Sequence, residues 1–149
     1  MSVRFKLDYR KFPAQPTEPF PRRTSVSRPV IPVALINGSQ RVRNLALIDS
    51  GADYCIFHAE IGEQIGLQIE SGKRLSFFGS SGQEQFAFFH EIKLEVGGHE
   101  ISCFAGFSQE LQSLPYGIPG QIGFFDKFKI TFDYEKERIA APFGLAMTV

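Results

Sequence analysis

In residues 83–96 the apolar side chains fall on alternate positions: Phe86, Phe88, His90, Ile92, Leu94 and Val96 share one parity. A period of two marks a half-buried strand, because successive side chains point to opposite faces of a sheet. The same texture recurs along the chain, each time closed by turn residues. Pro32-Val33-Ala34-Leu35-Ile36 runs into Asn37-Gly38, a strong hairpin signal, and a return strand runs from Arg41 to Ile48. Residues 73–78 and 83–96 read as the two arms of a second hairpin around Gly79-Ser80-Ser81-Gly82. Gly97-Gly98 turns the chain into Ile101-Ser102-Cys103-Phe104-Ala105. Phe128, Ile130, Phe132 and Tyr134 alternate with polar residues, and residues 138–141 return as a last strand. Residues 58–66 fit a short helix with Ile61 and Ile65 on one face and Gly66 as its stop, and residues 123–128 suit one helical turn or a short helix. Seven to nine short strands with one or two short helices define an all-β domain, a small closed barrel or a sandwich.

The 149 residues fit one domain. Hydrophobic residues make up 43% and charged residues 21%, the composition of a globular chain rather than a disordered one. Sixteen Phe and no Trp point to a Phe-packed core. Two Cys, at 55 and 103, are too few for a disulfide framework. No apolar run approaches the roughly 20 residues of a membrane span. The start, MSVRFKLDYRK, has no apolar segment of the kind a secretory signal needs, so a cytoplasmic location is expected.

Sixteen Lys plus Arg balance sixteen Asp plus Glu, which excludes a wholly basic nucleic-acid binder. The balance hides an asymmetry. Residues 1–43 hold nine bases and two acids, whereas residues 44–149 hold seven bases and fourteen acids. Six of the nine prolines lie between Pro13 and Pro32, and proline removes a donor and fixes φ, so this stretch is extended. Residues 1–29 therefore read as a Pro-rich basic arm, with a short edge strand over 3–9, and residues 30–149 as the domain proper. The basic arm packs on the acidic body of its own chain or of a partner. Binding of nucleic acid is not expected, because the bases are scattered and no helical stripe organises them.

The chemical anomaly is Asp49. An ionised carboxylate directly after Leu45-Ala46-Leu47-Ile48 stands where burial is costly, so something must stabilise it or use it. Ser50 supplies a hydroxyl, and Gly51 permits a close backbone approach. Two such loops brought together would place two carboxylates side by side, sharing one proton. One could take a proton from water while the other protonates a peptide carbonyl. The plainer reading is a strand followed by a turn in which Asp49 caps its own loop.

Ala46-Leu47-Ile48-Asp49-Ser50-Gly51-Ala52-Asp53 resembles the active-site strand and loop of the retropepsins, the retroviral-type aspartic proteases, and is closest in style to bacterial single-domain members. Ile118-Pro119-Gly120-Gln121 stands where that family has its second signature, two apolar residues, Gly and usually Arg. Gly123-Phe124-Phe125-Asp126-Lys127-Phe128 and the strand to Tyr134 resemble the family's helix and following strand. The order of these parts over residues 30–142 matches as well. The resemblance implies a small closed barrel of the acid-protease type with a flap hairpin. It implies that Asp49 is the catalytic aspartate, that Ser50 braces two loops across a dimer axis, and that Gly51, Ala52, Asp53 and Ile118 lie along bound substrate. Gly79, Ser80, Ser81 and Gly82 resemble the flap tip that closes over it. Gln121 in place of Arg removes a charge-assisted fork to the Asp53 position, and Pro119 removes one N–H.

The chain holds one Asp-Ser/Thr-Gly and is about half the length a two-lobed, pepsin-like monomer needs. A working enzyme of this kind must be a homodimer with one Asp49 from each subunit. The expected activity is an aspartic endopeptidase acting on a peptide or protein substrate, with no cofactor and no metal. His58, His90 and His99 match no metal-ligand spacing. Cys55 with His58 could be imagined as a nucleophile pair, but a buried small residue is the better reading of Cys55. The alternative function is a catalytically inactive protein of the same fold, used for dimerisation or peptide binding. A further possibility is that residues 10–30 form a pro-segment that fills the cleft.

Overall fold

The computed structural model describes residues 5–78, 82–111 and 115–141. Eleven strands are present among them, with one short α-helix. The strands are β1 (Phe5–Asp8), β2 (Arg10–Pro13), β3 (Ser25–Arg28), β4 (Val30–Asn37), β5 (Gln40–Leu47) and β6 (Ile56–His58), then β7 (Lys73–Phe78), β8 (Glu84–Val96), β9 (His99–Ser108), β10 (Thr131–Asp133) and β11 (Arg138–Ala141). The helix, α1, covers Ala59–Gln64. The largest sheet runs β5-β4-β8-β9-β6, with β7 paired to β8 beside it. A second sheet runs β1-β11-β10, and β2 and β3 form a separate hairpin. The all-β expectation holds. The strands not expected are β2 and β3, which flank the proline-rich tip of the N-terminal segment, and the three-residue β6 before α1.

Turn chemistry explains the hairpins. Between β4 and β5 the loop residues are Gly38 and Ser39, and the positive φ of 61° falls on Gly38, the first of them. That is the arrangement of a type II′ turn, so Asn37 is the last strand residue and not a turn residue. Between β8 and β9 both Gly97 and Gly98 take positive φ, at 57° and 84°, as a type I′ turn requires.

The core is aromatic and aliphatic. Phe57, Phe107 and Phe124 are fully buried with Ile31, Leu35, Leu94 and Ile139. β1 is tied to this body: it pairs antiparallel with β11, and Phe5 is buried with its ring edge-on to Phe128 at 5.6 Å. Helix α1 starts on His58, whose Nδ1 accepts from the Glu60 amide at 3.0 Å, and ends before Gly66 at φ 85°. Its buried face is Ala59, Gly62 and Ile65, while Ile61 is only half-buried. A Cβ on Gly62 would sit 2.7 Å from Ile69 and 2.8 Å from Phe107, so glycine sets how closely α1 lies on the sheet.

Two sequence expectations change. The single buried parity of β8 holds for Ile92, Leu94 and Val96, but nearer the hairpin tip the buried residues are Ala87 and Phe89. There Phe88 is half-buried against the core, while Phe89 on the other face lies edge-on to Tyr54 of the loop after Asp49 at 5.6 Å. Phe132 and Tyr134 are exposed: among the described residues β10 is a three-residue edge strand paired with β11 alone, and Tyr134 lies beyond its end in the turn to β11. Of the two forms expected for residues 123–128 the structure has the helical turn, closed by Phe128 N on the Phe124 carbonyl at 3.0 Å, and not the short helix. The Phe125 and Asp126 amides reach back five residues to the Gly120 and Gln121 carbonyls, and Asp126 accepts from Gly123 N through its side chain.

Candidate active site

β5 delivers Asp49 to its position. Ala46 and Ile48 are buried at 0% and 3% exposure, whereas Leu45 and Leu47 on the other face are half-buried. The four-residue apolar run is therefore buried on one face only. The chain leaves the strand at Asp49, which is itself half-buried, and Ser50 and Gly51 are exposed. Asp49 Oδ1 accepts from the Gly51 amide at 2.9 Å, and the Asp49 carbonyl accepts from Ala52 N at 3.2 Å. The loop thus bends on its own carboxylate, the turn expected from Asp followed by Ser-Gly.

A second segment, residues 117–122, is laced through this loop. Gly117 N donates to the Leu45 carbonyl at 3.0 Å and its carbonyl accepts from Leu47 N at 2.8 Å. Asp49 N donates to the Pro119 carbonyl at 3.1 Å, and Gln121 N donates to the Ala52 carbonyl at 2.8 Å. Ile122 N donates to the Asp53 carbonyl at 3.0 Å, and Ile56 and Ile118 exchange both backbone bonds. Gly120 makes the crossing possible: a Cβ there would lie 2.3 Å from the Tyr54 carbonyl and 2.5 Å from that of Ala52. Pro119 is fully buried, and its carbonyl is the group this arrangement uses. Gln121 Nε2 donates to the Ser50 carbonyl at 2.9 Å, so the neutral amide braces the loop through the backbone.

Beneath the crossing lie the two cysteines, both free and buried. Cys55 Sγ donates to the Ile122 carbonyl and accepts from Gly120 N, each at 3.4 Å. Its bond with Cys103 holds the Cys55 thiol below its usual range, against the opposing effect of burial. Cys103 goes the other way, pushed up by its bond to Cys55, by burial and by the Cys55 charge. With Cys55 on this segment and His58 Nδ1 on the Glu60 amide, the two are committed to separate structural bonds. His90 Nε2 likewise lies 2.8 Å from the Ile69 carbonyl. No three His, Cys, Asp or Glu side chains gather as metal ligands among the described residues.

A cleft of about 280 Å³ opens beside the crossed loops. Ala52, Asp53 and Ile118 line it, as do Tyr54, Ile56, Leu111 and, from β7, Phe77 and Phe78. The structure thus brings together the sequence-derived candidates Ala52, Asp53 and Ile118 on one cleft and puts Asp49, Ser50 and Gly51 in the loop that forms its border. Gly82 is exposed at φ 81° beyond the end of β7; Gly79, Ser80 and Ser81 lie outside the described residues. Tyr54 and Leu111 were missed by sequence reasoning. Tyr54 follows Asp53 directly and was open to notice, but nothing near Leu111 marks it locally.

No family model matches the sequence, and no curated protein does. Among solved structures, a retropepsin-like aspartic protease from Rickettsia conorii superposes with a TM-score of 0.59. That match covers 93% of this chain and 98% of the other at 13% identity. The protease of EIAV in complex with the inhibitor HBY-793 superposes with a TM-score of 0.48, over 63% of this chain and 82% of that one at 18% identity. The fold is retropepsin-like. Among the described residues no helix is long and apolar enough to cross a membrane.

Proposed function

We propose that the protein is an aspartic endopeptidase acting as a C2 homodimer, with residues 30–149 as the protease domain. The observation that carries this reading is the position of Asp49, a half-buried carboxylate held at the crossing of two interlocked loops, in the loop whose Ala52 and Asp53 line a cleft. One chain supplies one such carboxylate, so the dyad forms when a two-fold axis brings a second Asp49 alongside. Two carboxylates at that distance share a proton and titrate as a pair. The ionised one takes a proton from water as its oxygen attacks the scissile carbonyl carbon. The protonated one gives its proton to the carbonyl oxygen. Collapse of the tetrahedral intermediate breaks the C–N bond, and the amine leaves with the proton taken from water.

In this reading Ser50 braces one loop against its symmetry mate. Gly51, Ala52 and Asp53 offer backbone and carboxylate to an extended peptide, and Ile118 contacts its side chains. The β7–β8 hairpin is the flap: Phe77 and Phe78 overhang the cleft, and Gly79, Ser80, Ser81 and Gly82 are its tip. The test is cleavage of a mixed peptide library from acid to neutral pH by the natural chain and by Asp49→Asn, with subunit mass measured on both. Cleavage by a dimer, lost in Asp49→Asn, supports the reading. A stable monomer without cleavage rejects it. A peptide-binding dimer that never cleaves supports the inactive alternative.

A further inference from the structure

A second groove, of about 260 Å³, lies next to the cleft and shares one wall with it, Tyr54. Five of its seven lining residues are apolar or aromatic, and two of these are exposed. Ile122 is 53% exposed and Phe104 39% exposed, and Phe89 bridges Phe104 and Tyr54 with ring centroids 5.4 and 5.6 Å away. Apolar surface left open in this way marks a contact site more often than a packing fault. The volume is below the roughly 300–1,000 Å³ of ordinary small-molecule pockets, which suits one or two peptide side chains.

β7 ties the two spaces together. Its last residues, Phe77 and Phe78, border the cleft, and Lys73, Arg74 and Leu75 border the groove. Among the described residues β7 pairs with β8 alone, so a peptide lying along its other edge passes from one space into the other. Phe77 and Lys73 are four residues apart, about 13 Å of strand. Lys73 and Arg74 are exposed, and neither belongs to an ion pair among the described residues. Arg74 is held in place by stacking over Phe86 at 5.0 Å. Glu91 shares the sheet face of Phe104, its cross-strand partner, but does not line the groove, so the charge on the lining is positive.

We propose that this outer groove, beside Tyr54 and Leu75, binds the flank of a peptide substrate and selects an apolar side chain followed by a carboxylate. The apolar residue covers Phe104 and Ile122, and the carboxylate meets Lys73 and Arg74. The flanking pair lies two to four residues from the side chain in the cleft. In a C2 dimer one groove stands at each end of the bound peptide. The inference rests on the protease reading for the identity of its ligand, but its test does not depend on turnover.

Fluorescein-labelled peptides with one apolar core and Leu-Glu, Leu-Lys or Gly-Gly flanks, at either end, are titrated into full-length Asp49→Asn protein by fluorescence anisotropy. The Leu-Glu flank is expected to bind about tenfold tighter than Leu-Lys, because attraction to two exposed cations is replaced by repulsion while the Leu is common to both. Lys73→Glu with Arg74→Glu should invert that order, and Ile122→Ser should weaken the Leu-Glu and Leu-Lys peptides alike while leaving Gly-Gly unchanged. Equal binding of the acidic and basic flanks, an order that survives charge reversal, or no binding of any peptide overturns the proposal. Cleavage by the natural chain, read in parallel, reports on the protease reading alone. Cleavage without flank preference rejects the groove and keeps the protease, and flank-selective binding without cleavage does the reverse.

Discussion

The backbone amide of Asp49 donates to the carbonyl of Pro119 at 3.1 Å. Seventy residues of chain separate the two, yet this bond sets the direction in which the carboxylate leaves the loop. In the proposed dimer the side chain would have to meet its symmetry mate, which needs its backbone fixed first, since a misplacement of about 1 Å is costly in catalysis. The segment that fixes it has no charged residue, so the bracing comes from backbone groups and one amide side chain.

Gly120 is the most sensitive point of that bracing. A methyl group there would meet two backbone carbonyls, at 2.3 and 2.5 Å, and neither can rotate away. Gly120→Ala should lower stability by about 3 kcal/mol, the upper range of overpacking. Cleavage, where it is present, should fall further still. Urea unfolding with a midpoint equal to that of the natural chain would show that the loops are not locked by this approach.

Gln121→Ala removes the 2.9 Å bond to the Ser50 carbonyl. The side chain is exposed, so the loss in global stability should be small, about 0.5–1 kcal/mol. A change of that size lowers the melting temperature of a chain this long by only about 2–4 °C. The larger effect should appear in subunit dissociation, because Ser50 is the residue proposed to face the axis. Sedimentation at falling concentrations reads this directly, and an unchanged dissociation constant would remove Gln121 from the interface argument.

Much of the fold was legible because strand period and turn residues are local signals. The β7–β8 and β8–β9 hairpins and the stop of α1 at Gly66 followed from a few residues each. What was not legible depends on distant partners. Phe132 and Tyr134 carry the same alternation as a buried strand, yet among the described residues β10 has a neighbour on one side only and ends before Tyr134. Phe89 is buried against Tyr54 and Phe104, and no spacing within β8 encodes that. At the candidate site, Asp49-Ser50-Gly51 stood out as charge after an apolar run. Gln121 looked like a lost ion pair, and its bond to the Ser50 carbonyl is visible only in three dimensions.

The cysteine pair predicts an alkaline loss of stability. Cys103 holds its proton to a higher pH in the folded chain than its ordinary thiol range allows. Above about pH 9 both thiols of the unfolded chain are ionised, while the folded chain keeps the Cys103 proton. The folded state then binds more protons, so stability falls as pH rises, by about 1.4 kcal/mol per pH unit. The lowered Cys55 acts in the opposite sense, but only below that range, where the unfolded Cys55 is still protonated. Cys103→Ser should flatten the decline between pH 9 and 10.5 in thermal melts. An identical decline in both proteins would assign the effect elsewhere.

The N-terminal segment has two parts that should respond differently to deletion. β1 is built into the body: Phe5 is 6% exposed, its Cβ is 2.5 Å from the position a Cβ on Gly97 would take, and β1 covers one edge of β11. The tip of the β2–β3 hairpin is different. Residues 14–24 are mostly exposed, with Phe20 at 59%, and are closed by their own bonds between Thr17 and Phe20. A chain starting at residue 29 loses a buried Phe, which alone costs about 3–5 kcal/mol, and bares a strand edge that invites aggregation. Replacing residues 14–24 by a two-residue turn should cost about 1 kcal/mol or less, since it only shortens a loop. Calorimetry on the two deletions separates the cases. A chain starting at residue 29 that melts like the full-length protein would mean β1 contributes nothing to the body. Faster peptide cleavage after the tip replacement alone would point to the hairpin as a plug over the cleft.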